Sequence, residues 1–271
     1  MGEAVSVVMP TYNRRQVLPR AIDSVLGQTV PVAELIVVDD GSTDGSIDYL
    51  RERAVLDSRI QIVETAHSGA AVARNHGIDL ARGEYIAFQD SDDEWAPEFI
   101  ERLLPHVTGR SDVVAFASHR VRHRDGSDAV VPGKQIRRPE RELLFRSIAS
   151  TQTLLIPAAL LRARPFDARL RRFQDWDLCL SILEREGTEF VHEPTVAATL
   201  YRLDDSISEG SPAVRSASLR RILKQHRSLF LRHPFALARI VARAYLRPSA
   251  GPRGAVGSRV SPTSSSGARI T

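Results

Sequence analysis

The chain has 271 residues, 42% hydrophobic and 26% charged, enough for the core of one large α/β domain or of one domain with an appendage. Its net charge is +4, but the excess sits late, from Arg215 to Arg253, without zinc-finger spacing or an aromatic-rich RNA-binding strand, so nucleic acid is not an expected partner. Cys179 is the sole cysteine, which excludes an intrachain disulfide framework and a cysteine-based zinc site; within the apolar stretch DLCLSIL it reads as a buried, inert thiol.

VSVVM (Val5 to Met9) reads as a buried strand that MGEAVSVVMP reaches at once. No charged leader precedes a long apolar run, and no stretch approaches the ~20 apolar residues of a membrane span, so a cytoplasmic location is expected. Val17, Leu18, Ala21, Ile22, Val25 and Leu26 follow at helical spacing. ELIVV (Glu34 to Val38) is a second strand, and Ser42-Thr43-Asp44 opens a helix carrying Ile47 and Leu50. IQIV (Ile60 to Val63) is a third strand, Ser68 to Ala81 a helix ending near Gly83, YIAF (Tyr85 to Phe88) a fourth strand, and Pro97 begins another helix. This alternation, with continuously apolar strands, predicts a mostly parallel sheet flanked by helices, with ligands beyond the carboxyl ends of the strands. PTYN, DDGSTD and QDSDD fall at those ends.

The second half is less regular. Strands are expected at Val113 to Ser118, Thr151 to Ile156 and Val196 to Tyr201, and a hairpin around the Asp-Gly within Val121 to Val131. Pro132 to Glu140 reads as a mobile loop, and Asp175 to Glu186 as a helix with Trp176, Leu178, Cys179, Ile182 and Leu183 inward. Arginines alternate with apolar residues from Arg220 to Leu246, interrupted by Pro234. The expected organisation is a main α/β domain over residues 1–210, a basic amphipathic helical extension over 211–247 and a disordered tail over 248–271.

FQDSDDEW (Phe88 to Trp95) crowds Asp90, Asp92, Asp93 and Glu94 into one turn after a buried strand. Like charges so close resist ionising together, and a divalent cation shared with a diphosphate relieves the repulsion. Asp90-Ser91-Asp92 has D-x-D spacing. In DDGSTDGS (Asp39 to Ser46), Ser42, Thr43 and Asp44 suit a turn and helix cap, while two adjacent acids at a strand end suit an imide N–H, such as that of uracil. A calcium loop starting at Asp40 fails, because its twelfth position is Arg51. An aspartyl phosphohydrolase loop fits poorly, with Glu94 at its fifth position, and PTYNRR lacks the glycines of a dinucleotide-binding or pyrophosphorylase loop. His67, His192 and the histidines near position 120 read as solvent or packing residues.

The blocks VSVVMPTYNRRQVLPRAIDSVLGQT, ELIVVDDGSTDGS, GAAVARNHGIDLARGEYIAFQDSDDEWAPEFI and FQDWDLCLSI occur in an order and spacing that resemble the family 2 glycosyltransferases of the GT-A fold. The resemblance spans roughly the first 200 residues. It implies a Rossmann-like, mostly parallel sheet and inverting transfer of one sugar from a nucleotide-diphosphate donor, a UDP-sugar by preference, to an acceptor hydroxyl. By resemblance, Pro10 and Tyr12 line the nucleotide pocket, Asp40 takes the base imide beside Asp39, and Arg74 and Asn75 lie near the nucleotide. Asp92 and Asp93 divide the ribose and metal contacts, with Mn²⁺ or Mg²⁺ as the metal and Asp90 as a further candidate. Asp175 matches the catalytic base, with Gln174 where many relatives carry glutamate, and Trp176 reads mainly as a core anchor. Arg202, in YRLDDSIS, is a candidate for the diphosphate, while Leu203, Asp204 and Asp205 stand where many relatives carry histidine. The implied acceptor is a growing glycan, a lipid-linked intermediate or a small metabolite. The basic extension reads first as an amphipathic cover over the sheet with its arginines solvated; the alternative is attachment to an anionic bilayer at the inner face of a membrane, with Phe230, Leu231, Phe235 and Leu237 dipping in. The competing reading is a non-catalytic nucleotide-sugar-binding partner in a glycan-assembly complex.

Overall fold

The computed structural model describes residues 4–202 and 212–246. In chain order the strands are β1 (Val5–Thr11), β2 (Glu34–Asp39), β3 (Ile60–Glu64), β4 (Tyr85–Phe88), β5 (Glu94–Trp95), β6 (Val113–Arg122), β7 (Asp128–Val131), β8 (Leu154–Pro157) and β9 (Glu189–Tyr201). The helices are α1 (Leu18–Leu26), α2 (Ser46–Leu56), α3 (Ala70–Leu80), α4 (Phe99–Val107), α5 (Pro139–Leu143), α6 (Ala158–Ala163), α7 (Gln174–Leu183), α8 (Pro212–Gln225), α9 (Arg227–Leu231) and α10 (Pro234–Val241).

The strands form one sheet in the order β3-β2-β1-β4-β8-β6-β9-β5, with β7 paired to β6. β1 to β4 run parallel to one another, β8 runs antiparallel to both β4 and β6, and β6 and β9 resume the first direction. This is the GT-A arrangement, a mixed α/β fold with a mostly parallel sheet between helices. Every residue of β1, β2 and β4 is buried, because helices cover both faces. Alternate strand residues feed opposite layers. Val8, Ile36, Ile86 and Phe88 share a core with α3, α6, α7 and α8–α10. Val7, Met9, Leu35, Val37 and Ala87 share the other core with α1 and α4. Glycine at 77 lets α3 lie on β1: a Cβ there would sit 2.3 Å from Val8 Cγ1.

Several elements depart from the sequence expectation. The segment expected as a loop over Pro132 to Glu140 leads into α5, whose Pro139 lies in the first helical turn. β9 starts at Glu189, well before Val196, and pairs with β6 along nearly its whole length. The basic extension is three helices rather than one, continued by a π-turn at Ala242–Leu246. Its Leu219, Ile222, Phe230 and Ile240 belong to the main core, and Leu237 packs against it. Of the four residues expected at a membrane, Phe230 is therefore buried, while Leu231 and Phe235 are 58% and 84% exposed. The boundary expected at 210/211, residues Leu203, Asp204 and Asp205, and the tail 248–271 lie outside the described residues. Among those described, no helix is long and apolar enough to cross a membrane.

Candidate active site

The carboxyl ends of β1, β2 and β4 open onto a cleft of about 800 Å³. Pro10, Tyr12, Asp40, Arg74, Asp90, Asp92, Asp93, Asp175 and Arg202 all line it, so loops far apart in sequence converge at one rim. Asp39 is buried and does not line the cleft; its Oδ1 accepts the Ser42 N–H at 2.8 Å and shapes the turn.

Asp40 organises the next loop. Its Oδ1 accepts the Ser68 N–H at 2.8 Å and the Ser68 hydroxyl at 3.2 Å; its Oδ2 accepts the Gly69 N–H at 2.8 Å and lies 3.0 Å from His67 Nδ1. These partners occupy the roughly four lone-pair sites of a carboxylate. His67 in turn stacks on Tyr12, with ring centroids 4.1 Å apart. It lines the cleft and is neither a pure packing residue nor idle at the surface. The PTYN and DDGST loops are knit together: Asn13 N–H donates to Ser42 Oγ and Thr43 N–H to Asn13 Oδ1, each at 2.8 Å.

The acidic cluster divides by burial. Asp93 is 5% exposed; its Oδ1 accepts the Tyr201 N–H at 2.8 Å and its Oδ2 accepts Gln152 Nε2. Burial first, then the charges of Asp92 and Asp90, push its carboxyl well above the usual range. Asp92 faces the cleft with its side chain 22% exposed, 3.6 Å from Arg14 Nη2. Its backbone carbonyl accepts Arg20 Nη2 at 2.5 Å, and the Arg20 guanidinium lies 3.7 Å from the Tyr201 ring centroid. Arg74 binds Asp90 Oδ1 at 2.5 Å and Gln174 Oε1 at 3.3 Å, so one buried guanidinium joins α3, the end of β4 and the start of α7. Asn75 turns away, exchanging two 2.9 Å hydrogen bonds with the backbone of Phe166.

Asp175 sits in the first turn of α7. Its Oδ1 accepts the Trp176 N–H at 2.8 Å and its Oδ2 the Ser147 hydroxyl at 3.0 Å. Burial raises its pKa, and these two hydrogen bonds and the Arg74 charge oppose the rise without cancelling it. A carboxylate poised this way at a cleft is a better proton acceptor than an ordinary aspartate. Trp176 behind it is 1% exposed and donates to the Leu143 carbonyl at 2.6 Å, the core role expected of it. Phe173 (φ 65°) and Asn13 (φ 51°) are the non-glycine residues in left-handed conformation among those described, and both flank cleft-lining loops.

Among the described residues, no group of three or more His, Cys, Asp or Glu forms a metal cage. Asp92 alone, with a diphosphate and water, still fits a cation that takes one or two protein carboxylates. The other histidines pack as expected: His192 Nδ1 accepts the Ile136 N–H at 3.0 Å and its Nε2 lies 3.0 Å from Ser118 Oγ. Burial and the nearby Arg202 hold His119 down to about 4, so it is neutral. Burial pushes the Cys179 thiol far up, as befits an inert core residue. Ser147 and Gln152 had no motif to mark them, and Tyr201, though it opens YRLDDSIS, drew no role of its own; each acts through a partner distant in sequence.

The Bacillus subtilis protein TuaG, named as a teichuronic acid biosynthesis glycosyltransferase, is 34% identical over 75% of this chain and 81% of its own length. Staphylococcus aureus TarS 1–349 in complex with UDP-GlcNAc superposes with a TM-score of 0.65 at 20% identity, over 90% of this chain and 73% of that one. The mannosyltransferase PcManGT of Pyrobaculum calidifontis, in complex with GDP-Man and Mn²⁺, gives 0.62 at 21% identity, over 89% and 69%. Residues 6–170 match the model of the family described as glycosyl transferase family 2. With the GT-A sheet and this acid-lined cleft, the match makes the chain a glycosyltransferase: it belongs to glycosyltransferase family 2.

Proposed function

We propose that the chain is an inverting transferase that moves a sugar from a UDP-sugar to an acceptor hydroxyl in polysaccharide or glycoconjugate synthesis. The observation that carries this reading is that Asp40, Asp92 and Asp175 line one cleft at the carboxyl end of the sheet. The base stacks at Tyr12 and His67, in a pocket whose wall Asp40 fixes. Pro10 and the Asp39 turn complete that end, and Arg74, held by Asp90, sets the distance from donor to base. Of the two acids left open by the sequence, Asp92 is assigned the metal and Asp93 the frame, because both oxygens of Asp93 are engaged by Gln152 and Tyr201. A divalent cation, Mn²⁺ or Mg²⁺, would neutralise charge on the departing diphosphate. Arg202 adds a fixed positive charge at the same cleft. Asp175 removes the proton of the acceptor hydroxyl as that oxygen attacks the anomeric carbon, from the face opposite the diphosphate. One displacement inverts the anomeric configuration.

The test is UDP release from UDP-sugars with Mn²⁺ and a glycan or lipid-linked acceptor. Asp175→Asn should lower turnover by a factor on the order of 10² or more, as loss of a general base does, and leave UDP affinity intact. Full activity in Asp175→Asn refutes the base; a wild type that binds UDP and turns over no donor is a binding partner and refutes the enzyme.

Peripheral contact with an anionic bilayer belongs to the same proposal. Residues 212–246 contain eight Lys and Arg and no Asp or Glu. Leu231 and Phe235 project from them beside the exposed Arg227, Arg232 and Arg239. That combination suits a negatively charged lipid surface, each cation near it being worth about 1 kcal/mol.

A further inference from the structure

We propose that Ser147 is a positioning residue for the base: it holds the Asp175 carboxylate for proton transfer and follows the proton afterwards. The inference rests on the proposed role of Asp175. Ser147 Oγ lies 3.0 Å from Asp175 Oδ2 and also 3.0 Å from the Ala149 carbonyl oxygen. A hydroxyl has one proton and two lone pairs, so it serves these neighbours one at a time as donor. With Asp175 ionised, the proton points to Oδ2, where the charge strengthens the bond. Once Asp175 has taken the acceptor's proton, its own O–H donates back to Ser147 Oγ, and Ser147 turns its hydrogen to the Ala149 carbonyl. Both protonation states of the base are then hydrogen-bonded. The proton count balances: the acceptor hydroxyl loses one, Asp175 gains one, and Ser147 keeps its own.

Ser147 is braced from behind. Trp176 Nε1 donates to the Leu143 carbonyl at 2.6 Å, and Arg243 Nη1 donates to the Phe145 carbonyl at 3.0 Å. The Arg243 guanidinium also lies 5.5 Å from the Trp176 ring centroid. The C-terminal helices thus grip the segment that presents Ser147 to the cleft. The same helices fix α7, since buried His226 lies 3.0 Å from Asp177 and 3.1 Å from Glu184. The other charges near Asp175 are Arg74 from α3, Arg172 from the turn before α7 and Asp177 on α7 itself; the Cys179 thiol beneath it is neutral.

The test is the pH dependence of kcat/KM in Ser147→Ala and Ser147→Thr, with UDP affinity measured alongside. Ser147→Ala removes a bond to the charged form, so its acid limb should move up by about one pH unit and its kcat fall about tenfold, with the donor KM unchanged. Ser147→Thr keeps a hydroxyl and should restore the limb. A wild-type limb and turnover in Ser147→Ala overturn the proposal, as does a Ser147→Thr variant no better than alanine. Should Ser147→Ala have no measurable turnover, Ser147→Thr decides alone: activity with the wild-type limb supports the proposal, and none overturns it. If Asp175→Asn stays active the base assignment fails first; if it is dead and Ser147→Ala is wild-type in profile, only the present inference fails.

Discussion

Neighbouring aspartates of one cluster meet opposite surroundings because the backbone alternates which of them it buries, and the roles proposed for them follow from that. Asp92 meets the cleft and Asp93 meets Gln152 and Tyr201. Asp92→Asn should therefore weaken the Mn²⁺-dependent gain in UDP affinity at least tenfold, about 1.4 kcal/mol, as titration calorimetry with and without the metal would read. Asp93→Asn keeps an oxygen for the Tyr201 N–H and sets its new NH2 against the Gln152 Nε2 donor, so the Gln152 amide must turn over to accept from it; Asp92 is untouched, and the same gain should persist. An equal loss in both variants would reverse the assignment. With Asp175 as the proposed base, the pH profile of the wild type follows from its ionisation. The base must be ionised, so activity is lost as pH falls through its folded pKa. Because burial raises that pKa, the loss should begin above the ~3.9 of an ordinary aspartate. An activity that stays flat down to pH 4 would contradict this.

At the scale of elements, the parallel half was legible because its strands are buried on both faces and read as continuous apolar runs. Its motifs mark strand ends, and strand ends are where such sheets bind ligands. Pro10, Tyr12 and Asp90 were therefore within reach of the sequence, whereas Asp175, in the first turn of α7, was marked only by the family resemblance. The partners that tune them were not within reach: Ser147 lies in a stretch without periodicity, Gln152 was expected in a strand but sits in a single helical turn before β8, and their roles exist only once β8 and α7 have packed. Helix α5 was hidden by its basic, polar surroundings, and its burial through Pro139 and Leu143 is decided by tertiary contacts. The close packing of α3 on β1 is a local constraint that can be probed. Gly77→Ala drives a methyl group into the stiff, branched Val8 and should destabilise the fold by about 1–3 kcal/mol in denaturant melts. Wild-type stability would mean that α3 shifts freely.

Across the whole molecule, the C-terminal helices are part of the main core rather than an appendage. Leu219, Ile222, Phe230 and Ile240 are each at most 2% exposed, and burying such side chains is worth about 1.5–3 kcal/mol apiece. A chain ending at residue 211 should lose its cooperative thermal transition, seen by calorimetry; a clean transition would make the extension separable. The outer face of the same helices carries the membrane prediction. Vesicles containing phosphatidylglycerol should sediment the protein at low salt and release it at high salt, and Phe235→Glu with Leu231→Glu should weaken capture while UDP affinity stays constant. Equal capture by neutral vesicles would refute the electrostatic reading.

Strand β8 runs against both of its neighbours and so divides the described sheet in two, which bears on how such enzymes diversify. Everything on its β4 side is assembled from the first hundred residues and carries Pro10, Tyr12 and Asp40, the proposed donor end of the cleft. The chain that follows β8 carries Asp175, the proposed base, and with it the proposed acceptor side. Chimaeras joined at this reversal should inherit their leaving group from one parent and their glycan product from the other.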